Sequence, residues 1–345
     1  MRRVLCGMAA LVMLAGAAAA AETALDRDTV NAARFEPGRK PATKDGSKRP
    51  DPLLIKAQVL LDRARFSPGV IDGRDGSNFD GALKAFAEAR DEGKGKTATG
   101  RLDGALWDAL AGTSQDPVLT DYTITEKDAA GPFAETIPDK MEEQADLKAL
   151  SYTGPAEMLA ERFHMSRALL EALNPGKALD KPGTVITVAA LPPMSVGKPD
   201  AKSLPEEPKV QRIVVDKEAL QLRAYAGDGT LVAVYPASVG SEEKPAPEGT
   251  FTVKGIAFDP DYTYDPKYGF KGVGAKHKFT IRPGPNNPVG VVWIDLSAES
   301  YGIHGTPDPE KVGKAASHGC IRLTNWDARD LARHVARGAT VEIGG

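Results

Sequence analysis

Hydrophobic positions along this chain fall into three regimes. Between Leu53 and about Gly112 they recur at helical spacing: "LLIKAQVLLDRA" forms an apolar helical stretch, Leu83, Phe86, Ala87 and Arg90 share one side of a second helix, and "LDGALWDAL" gives a short third. A Gly-, Asp- and Pro-rich stretch, "FSPGVIDGRDGS", predicts the turn region between the first two. In residues 147–190, Ala156, Leu159, Ala160 and Phe163 mark one short amphipathic helix, Leu169, Leu170 and Leu173 a second, and "TVITVA" a closing strand. From Val210 the character changes: "VQRIVVD", "ALQLRAYA", "LVAVYPASVG", "GTFTVKGIAF", "KFTIRP" and "VGVVWIDL", rich in branched and aromatic residues and punctuated by Gly, Pro and Asp, predict short strands, with "GDG" marking a hairpin between the second and third. One helix, "TNWDARDLARHVARG", is expected to end this region, capped by Thr324 or Asn325, presenting Ala328, Leu331, Ala332 and Val335 to a core, and stopped by Gly338. The fold class is therefore multidomain: a mainly β domain, sandwich or barrel, over 210–345, preceded by a small helical domain over 53–112 and a small α+β module over 147–190.

Polar stretches separate these units. Residues 22–52 carry charge, Pro, Lys and Asp without apolar periodicity and are expected to be a flexible leader. Residues 113–146 read as a linker, and the prolines and charges of 191–209 as a second one. The first 21 residues show a charged start, an apolar run and small residues, the pattern of a secretory signal peptide cleaved after Ala20 or Ala21. Cys6 would leave with it. Loss of Arg2 and Arg3 takes the formal charge from −3 to −5, a balance unsuited to unspecific nucleic-acid binding. No other segment has the length and apolarity of a transmembrane helix, so a soluble protein of the periplasm or cell wall is expected.

Export changes the meaning of the second cysteine. A lone, exposed cysteine in an oxidising compartment risks oxidation or mispairing, so Cys320 in "SHGCIRL" is a candidate nucleophile, the bland alternative being a buried inert residue. A thiolate is the reactive form, and an imidazole can take its proton. His318, two residues before Cys320, would project to the same face of an extended segment, while His304 in "YGIHG" arrives from a separate strand end. Spacing divides the role of base evenly between them. Three ligands for zinc, His304, His318 and Cys320, form the chemical rival, without an evident fourth. Trp293, Tyr301 and Trp326 surround the motif and either line a groove or belong to the core. The long Gly/Pro/Tyr segment Ala257–Phe279 is a candidate cover for a substrate. His164, His277 and His334 carry no motif; surface or otherwise satisfied placement is expected for them.

His304, the twelve residues after it and then "SHGC" resemble the signature of the L,D-transpeptidase (YkuD-type) catalytic domain, and "PEGTFTV" and "GPNNPVGVVWIDL" are similar to further segments of that family over about Val210 to Gly344. The resemblance implies Cys320 as nucleophile and His304 as general base, its ring oriented by the carbonyl of Gly305, with His318 supporting in the pocket. It also implies the backbone N–H groups of Gly319 and Cys320 as oxyanion donors. Arg322 would bind a substrate carboxylate or hold the loop. The implied reaction is acyl transfer on peptidoglycan stem peptides, with no metal, nucleotide or other cofactor, to an amine of a second stem or of an outer-membrane or wall-anchored protein. Water as acceptor would make the same site a carboxypeptidase, and a retired site would leave a wall-binding protein. "FSPGVIDG" and "ALKAF" resemble a small peptidoglycan-binding domain, with a helical spacer as the alternative. Helix, helix, "NPG" and "PGTVITV" resemble a degenerate LysM module, whose usual partner is a glycan of N-acetylglucosamine; its opening departs from the family's glycine-aspartate pattern.

Overall fold

A computed structural model of the chain describes residues 25–38, 49–91, 99–200, 202, 204, 209–240, 244–268, 273–314 and 319–345. The N-terminal part contains α1 (Arg27–Ala32), α2 (Pro52–Arg63), α3 (Ser77–Asp91), α4 (Gly104–Ala111), β1 (Leu119–Thr123), α5 (Glu126–Ala130), α6 (Met141–Gln144), α7 (Pro155–Arg162), α8 (Arg167–Leu173) and β2 (Val185–Ala189). Local chemistry sets the helix starts. The Asp51 carboxylate accepts from the Leu53 N–H ahead of α2, with Pro52 in the first turn, and Asp103 accepts from the Leu106 N–H ahead of α4.

The stretch 113–146, expected as a linker, contributes β1, which pairs antiparallel with β2, Leu119 opposite Ala189 and Thr123 opposite Val185. The expected leader contributes α1. Only Val30 of that six-residue helix is buried, so its period is silent in the sequence; what holds it is tertiary. Asn31 Oδ1 accepts from the N–H groups of Val118 and Leu119, each at 2.9 Å, and Arg27 pairs with Asp121 at 2.7 Å. One apolar core runs from Val30 to Leu191, joining α2 and α3 to α7, α8 and β2. The helical segment and the α+β segment thus share a single interior.

The C-terminal part contains β3 (Val210–Asp216), β4 (Gln221–Ala226), β5 (Leu231–Pro236), β6 (Ser238–Val239), β7 (Gly249–Phe258), β8 (Tyr262–Tyr264), β9 (Phe279–Ile281), β10 (Val292–Leu296), β11 (Gly302–His304), β12 (Ile321–Arg322), α9 (Asn325–His334) and β13 (Val335–Gly344). Nine strands hydrogen-bond in the order β5-β4-β3-β13-β7-β10-β11-β12-β6. Long β7 is the corner: its first residues pair with β13 and its later ones with β10, so the sheet turns over a second core from Val210 to Ile343. This is a mainly β, barrel-like domain. The "GDG" hairpin joins β4 to β5 as expected, with Gly229 at φ +88°. Gly338 does not stop the final helix. α9 ends at His334 and the chain passes directly into β13, where Gly338, at φ +88°, falls within the register shift between Val335 and Thr340.

The two parts meet through polar groups that burial makes consequential. Edge strand β5 is met by the N-terminal part: Ser67 N–H donates to the Val234 carbonyl and Val234 N–H to the Arg65 carbonyl, both at 2.8 Å. His164, expected to be at the surface or satisfied, is partly buried and satisfied, with Nδ1 3.0 Å from Asp62 and its ring stacked on Trp326, centroids 5.2 Å apart. His334, expected at the surface, is buried against Arg65 and Asp330, because the last turn of α9 faces the N-terminal part. Ser67 Oγ donates to Asp327, and Asn325 to Glu161.

Burial lifts Glu161 to about 7, and burial with the neighbouring Asp62 lifts Asp327 to about 8. Desolvation opposes charge on His164, yet the carboxylates of Asp62, Asp327 and Asp330 raise its pKa overall. For all three groups the folded chain holds protons that the unfolded chain has released, so their contribution to stability is lost as pH rises from about 4 for the two carboxyls, and from about 6.5 for His164, to about 8. The melting temperature is expected to be several degrees lower at pH 8.5 than at pH 6.5, with part of the slope removed in Asp327→Asn. A melting temperature that rises over this interval, followed by circular dichroism, would contradict the account.

Candidate active site

Parallel pairing of β11 with β12 sets Ile303 opposite Ile321 and His304 opposite Arg322. Cys320, one residue before β12, therefore enters beside Gly302, and "YGIHG" meets the end of "SHGC" at one place on the sheet. Both Cys320 and His304 line a cleft of about 1600 Å3, together with Trp293, Tyr301 and Arg322. Its lining also includes residues of the N-terminal part, among them Asp139, Thr153, Glu157 and Arg167.

His304 is buried and fixed on two sides. Its Nδ1 lies 2.6 Å from the Gly305 carbonyl, and its ring stacks on Trp293 with centroids 5.7 Å apart. A carbonyl can only accept, so Nδ1 carries the proton and Nε2 keeps its lone pair as the ring's free basic site. Burial, reinforced by the Arg322 charge, lowers the pKa of this histidine to about 3, against the opposing pull of the Gly305 carbonyl. The imidazole is therefore neutral at physiological pH. Burial pushes the Cys320 thiol up, although the Gly302 amide and the charges of Arg322 and Lys244 pull the other way. Its Sγ points a weak hydrogen bond at the Ser300 carbonyl, 3.8 Å away. In the resting site the pair is a neutral thiol and a neutral base, not a thiolate and an imidazolium.

Glycines make this packing possible. A Cβ on Gly302 would lie within 2.7 Å of the Trp293 indole, and one on Gly319, at φ +103°, would meet Tyr301 at 3.0 Å. A Cβ on Gly305 would stand 2.1 Å from Asn325 Oδ1, which is tied to the Val291 and Thr306 N–H groups at 3.1 Å each. Gly305→Ala is expected to destabilise the fold by about 1–3 kcal/mol, the usual penalty for overpacking. Gly255→Ala, where a Cβ meets nothing, is the control in the same thermal unfolding experiment. Equal melting temperatures for the two variants would count against a tight Gly305 site.

Of the sequence-nominated residues, Cys320, His304, Gly305, Gly319, Arg322, Trp293 and Tyr301 are brought to this cleft or its edge. His318 lies outside the described residues. Trp326 does not line the cleft: α9 turns it toward the N-terminal part, where it is 3% exposed and stacks on His164. From the segment Ala257–Phe279, β8 pairs with β9 as a small antiparallel sheet, and Tyr262 lines the cleft together with Cys320. Arg322 is mostly buried and adds positive potential between the thiol and the imidazole. The sequence reading missed Asn325 as more than a cap candidate, and missed Lys244 and Tyr262. Asn325 is fully buried beside the cap residue Thr324, a burial that helix periodicity alone does not signal.

A thiol beside a tautomer-fixed imidazole, both opening on one cleft, is the equipment of a cysteine-nucleophile enzyme. Comparison with known proteins agrees with that class. The YkuD pattern, described as an L,D-transpeptidase catalytic domain, matches residues 210–343. YkuD of Bacillus licheniformis, named as an L,D-transpeptidase, is 32% identical over 187 residues, covering 54% of this chain and 92% of that protein. YbiS of Escherichia coli strain K12, also named as an L,D-transpeptidase, is 28% identical over 196 residues, 55% of this chain and 60% of its own length. Among solved structures, L,D-transpeptidase 3 of Mycobacterium tuberculosis aligns at 20% identity with a TM-score of 0.33, over 39% of this chain and 60% of the other. This chain belongs to the YkuD-type L,D-transpeptidase family, a family of enzymes.

Proposed function

We propose that this protein is a peptidoglycan L,D-transpeptidase. Cys320 attacks the carbonyl of the third stem residue, a diamino acid such as meso-diaminopimelate, and the terminal D-Ala of a tetrapeptide leaves as the amine, giving a thioester. The side-chain amine of a second stem then takes the acyl group to form a 3→3 cross-link and frees the thiol; a lysine of an outer-membrane or wall-anchored protein is the other acceptor. The observation that carries this reading is the meeting of Cys320 and His304 at one cleft, with His304 Nδ1 committed to Gly305 and Nε2 left as base.

His304 takes the thiol proton during attack and gives a proton to the departing amine, then activates the acceptor. Because the resting thiol is neutral, proton removal and attack occur together on bound substrate. The N–H groups of Gly319 and Cys320 are assigned to the oxyanion, and Arg322 to a substrate carboxylate or to the loop that bears the thiol. No cofactor enters any of these steps. Export to the periplasm or cell wall is part of the same proposal, supported by the charged, apolar and small-residue pattern of residues 1–21. Among the described residues no helix is long and apolar enough to cross a membrane.

Incubation of the purified protein with tetrapeptide muropeptides, followed by mass spectrometry, tests the reading. A cross-linked dimer with D-Ala release supports transfer, a muropeptide joined to a protein amine selects the anchoring acceptor, and a shortened monomer alone selects carboxypeptidase action. Unchanged tetrapeptide would leave the wall-binding reading in its place.

A further inference from the structure

Glu161, in the last turn of α7, connects the N-terminal part to the catalytic histidine through a short series of hydrogen bonds. Its side chain is buried, and Oε1 accepts from Asn325 Nδ2 at 2.9 Å and from the Tyr152 hydroxyl at 3.1 Å. An acceptor on that side dictates which way round the Asn325 amide sits: Nδ2 faces Glu161 and the Pro285 carbonyl, 3.1 Å away, so Oδ1 faces the N–H groups of Val291 and Thr306. The Thr306 N–H belongs to the same peptide plane as the Gly305 carbonyl, and in a planar trans unit fixing one fixes the other. That carbonyl is the group that holds His304 Nδ1 at 2.6 Å. The space Asn325 occupies exists only because Gly290 and Gly305 lack a Cβ, which would stand 1.9 and 2.1 Å from Oδ1.

We propose that Glu161 is a positioning residue for His304, acting through Asn325 and the Gly305–Thr306 peptide, so that the N-terminal part completes the catalytic site. The proposal rests on His304 being the base, as argued above. It gives the N-terminal part a role in the chemistry, separate from any hold on the wall. Glu161 touches no reacting atom, and the Pro285 carbonyl still faces Nδ2 when Glu161 is lost, so the expected effect is partial.

The test uses the full chain. Glu161→Ala is expected to lower kcat for D-Ala release by about 10- to 100-fold with KM within about twofold, the scale of a misplaced catalytic group. Glu161→Gln, whose Oε1 still accepts, restores kcat to within about threefold of the parent. Ser67→Ala, which removes a hydrogen bond to Asp327 at the same interface but none to Asn325, leaves kcat unchanged. If Glu161→Ala does not fold, Glu161→Asp replaces it, its shortened acceptor giving the same fall in kcat. Alkylation of Cys320 by iodoacetamide, in which sulfur displaces iodide and the thiol proton passes to the base, reports on His304 without a stem peptide and should slow in the same variants. Parental kcat and alkylation in a folded Glu161→Ala or Glu161→Asp protein would overturn the proposal, as would an equal loss in Ser67→Ala. If the parent releases no D-Ala, the substrate reading fails, while the alkylation series still decides the positioning role.

Discussion

Replacement of Cys320 by alanine should reduce D-Ala release from tetrapeptides to background, a loss on the order of 10⁶-fold where a nucleophile is removed from an acyl-transfer site. The reason is structural as well as chemical. Among the described residues Cys320 is the cysteine, and it lines the same cleft as His304. Cys320→Ser keeps a donor to the Ser300 carbonyl but offers a hydroxyl far harder to ionise, and is also expected to be inactive. Release of D-Ala is measured by chromatography and the acyl-enzyme by intact mass. Persistence of D-Ala release and cross-linking in Cys320→Ala would sink the nucleophile assignment.

His304→Ala is expected to lower the acylation rate by about 10²-fold or more, since a positioned base commonly contributes that much. The pH profile distinguishes this base from an ordinary histidine. With its pKa lowered to about 3 the imidazole stays unprotonated through mild acid, and with the thiol raised the nucleophile keeps its proton until well into the alkaline range. kcat/KM for acylation should therefore hold a plateau from about pH 5 to pH 8, because both partners remain in their working forms. An acid limb centred near 6.5, the value of a solvated histidine, would mean that the ring is neither buried nor fixed in the working enzyme. An inactive His318→Ala beside a nearly normal His304→Ala would exchange the roles of the two histidines.

The proposed thiol–imidazole pair was readable because its chemistry is local. "IHG" and "SHGC" carry the imidazoles, the thiol and the glycines that let backbone come close, and the alternation of the flanking strands announced a β scaffold. Which histidine serves as base was not readable from spacing, since His304 and His318 are equally plausible in one dimension. The family resemblance favoured His304, and its bond to Gly305 gives that choice a physical basis. Trp326 illustrates the opposite case. Its sequence neighbourhood suggested a groove, but helix phase turns it toward the N-terminal part, where stacking on His164 and burial compete successfully with the cleft. The stretch 113–146 looked like linker because only Leu119 of β1 is buried, while Thr120, Asp121 and Thr123 are exposed, so the strand shows no apolar alternation.

Sequence by itself determined the elements that rest on short-range rules: the capped helices α2 and α4, the β4–β5 hairpin, the apolar strands of the C-terminal domain, and the thiol and imidazoles of the motif. Tertiary structure alone decided that α1 and β1 belong to the N-terminal core, that His164 and His334 pack between the two parts, and that Glu161 and Asn325 lie behind His304. Those outcomes depend on partners 34 to 164 residues apart for the contacts that matter most, Asn325 with Val291 and with Glu161. A hydrogen bond across that distance leaves no period in the chain. It exists only once two cores have formed and burial has made each unpaired polar group too unfavourable to leave alone.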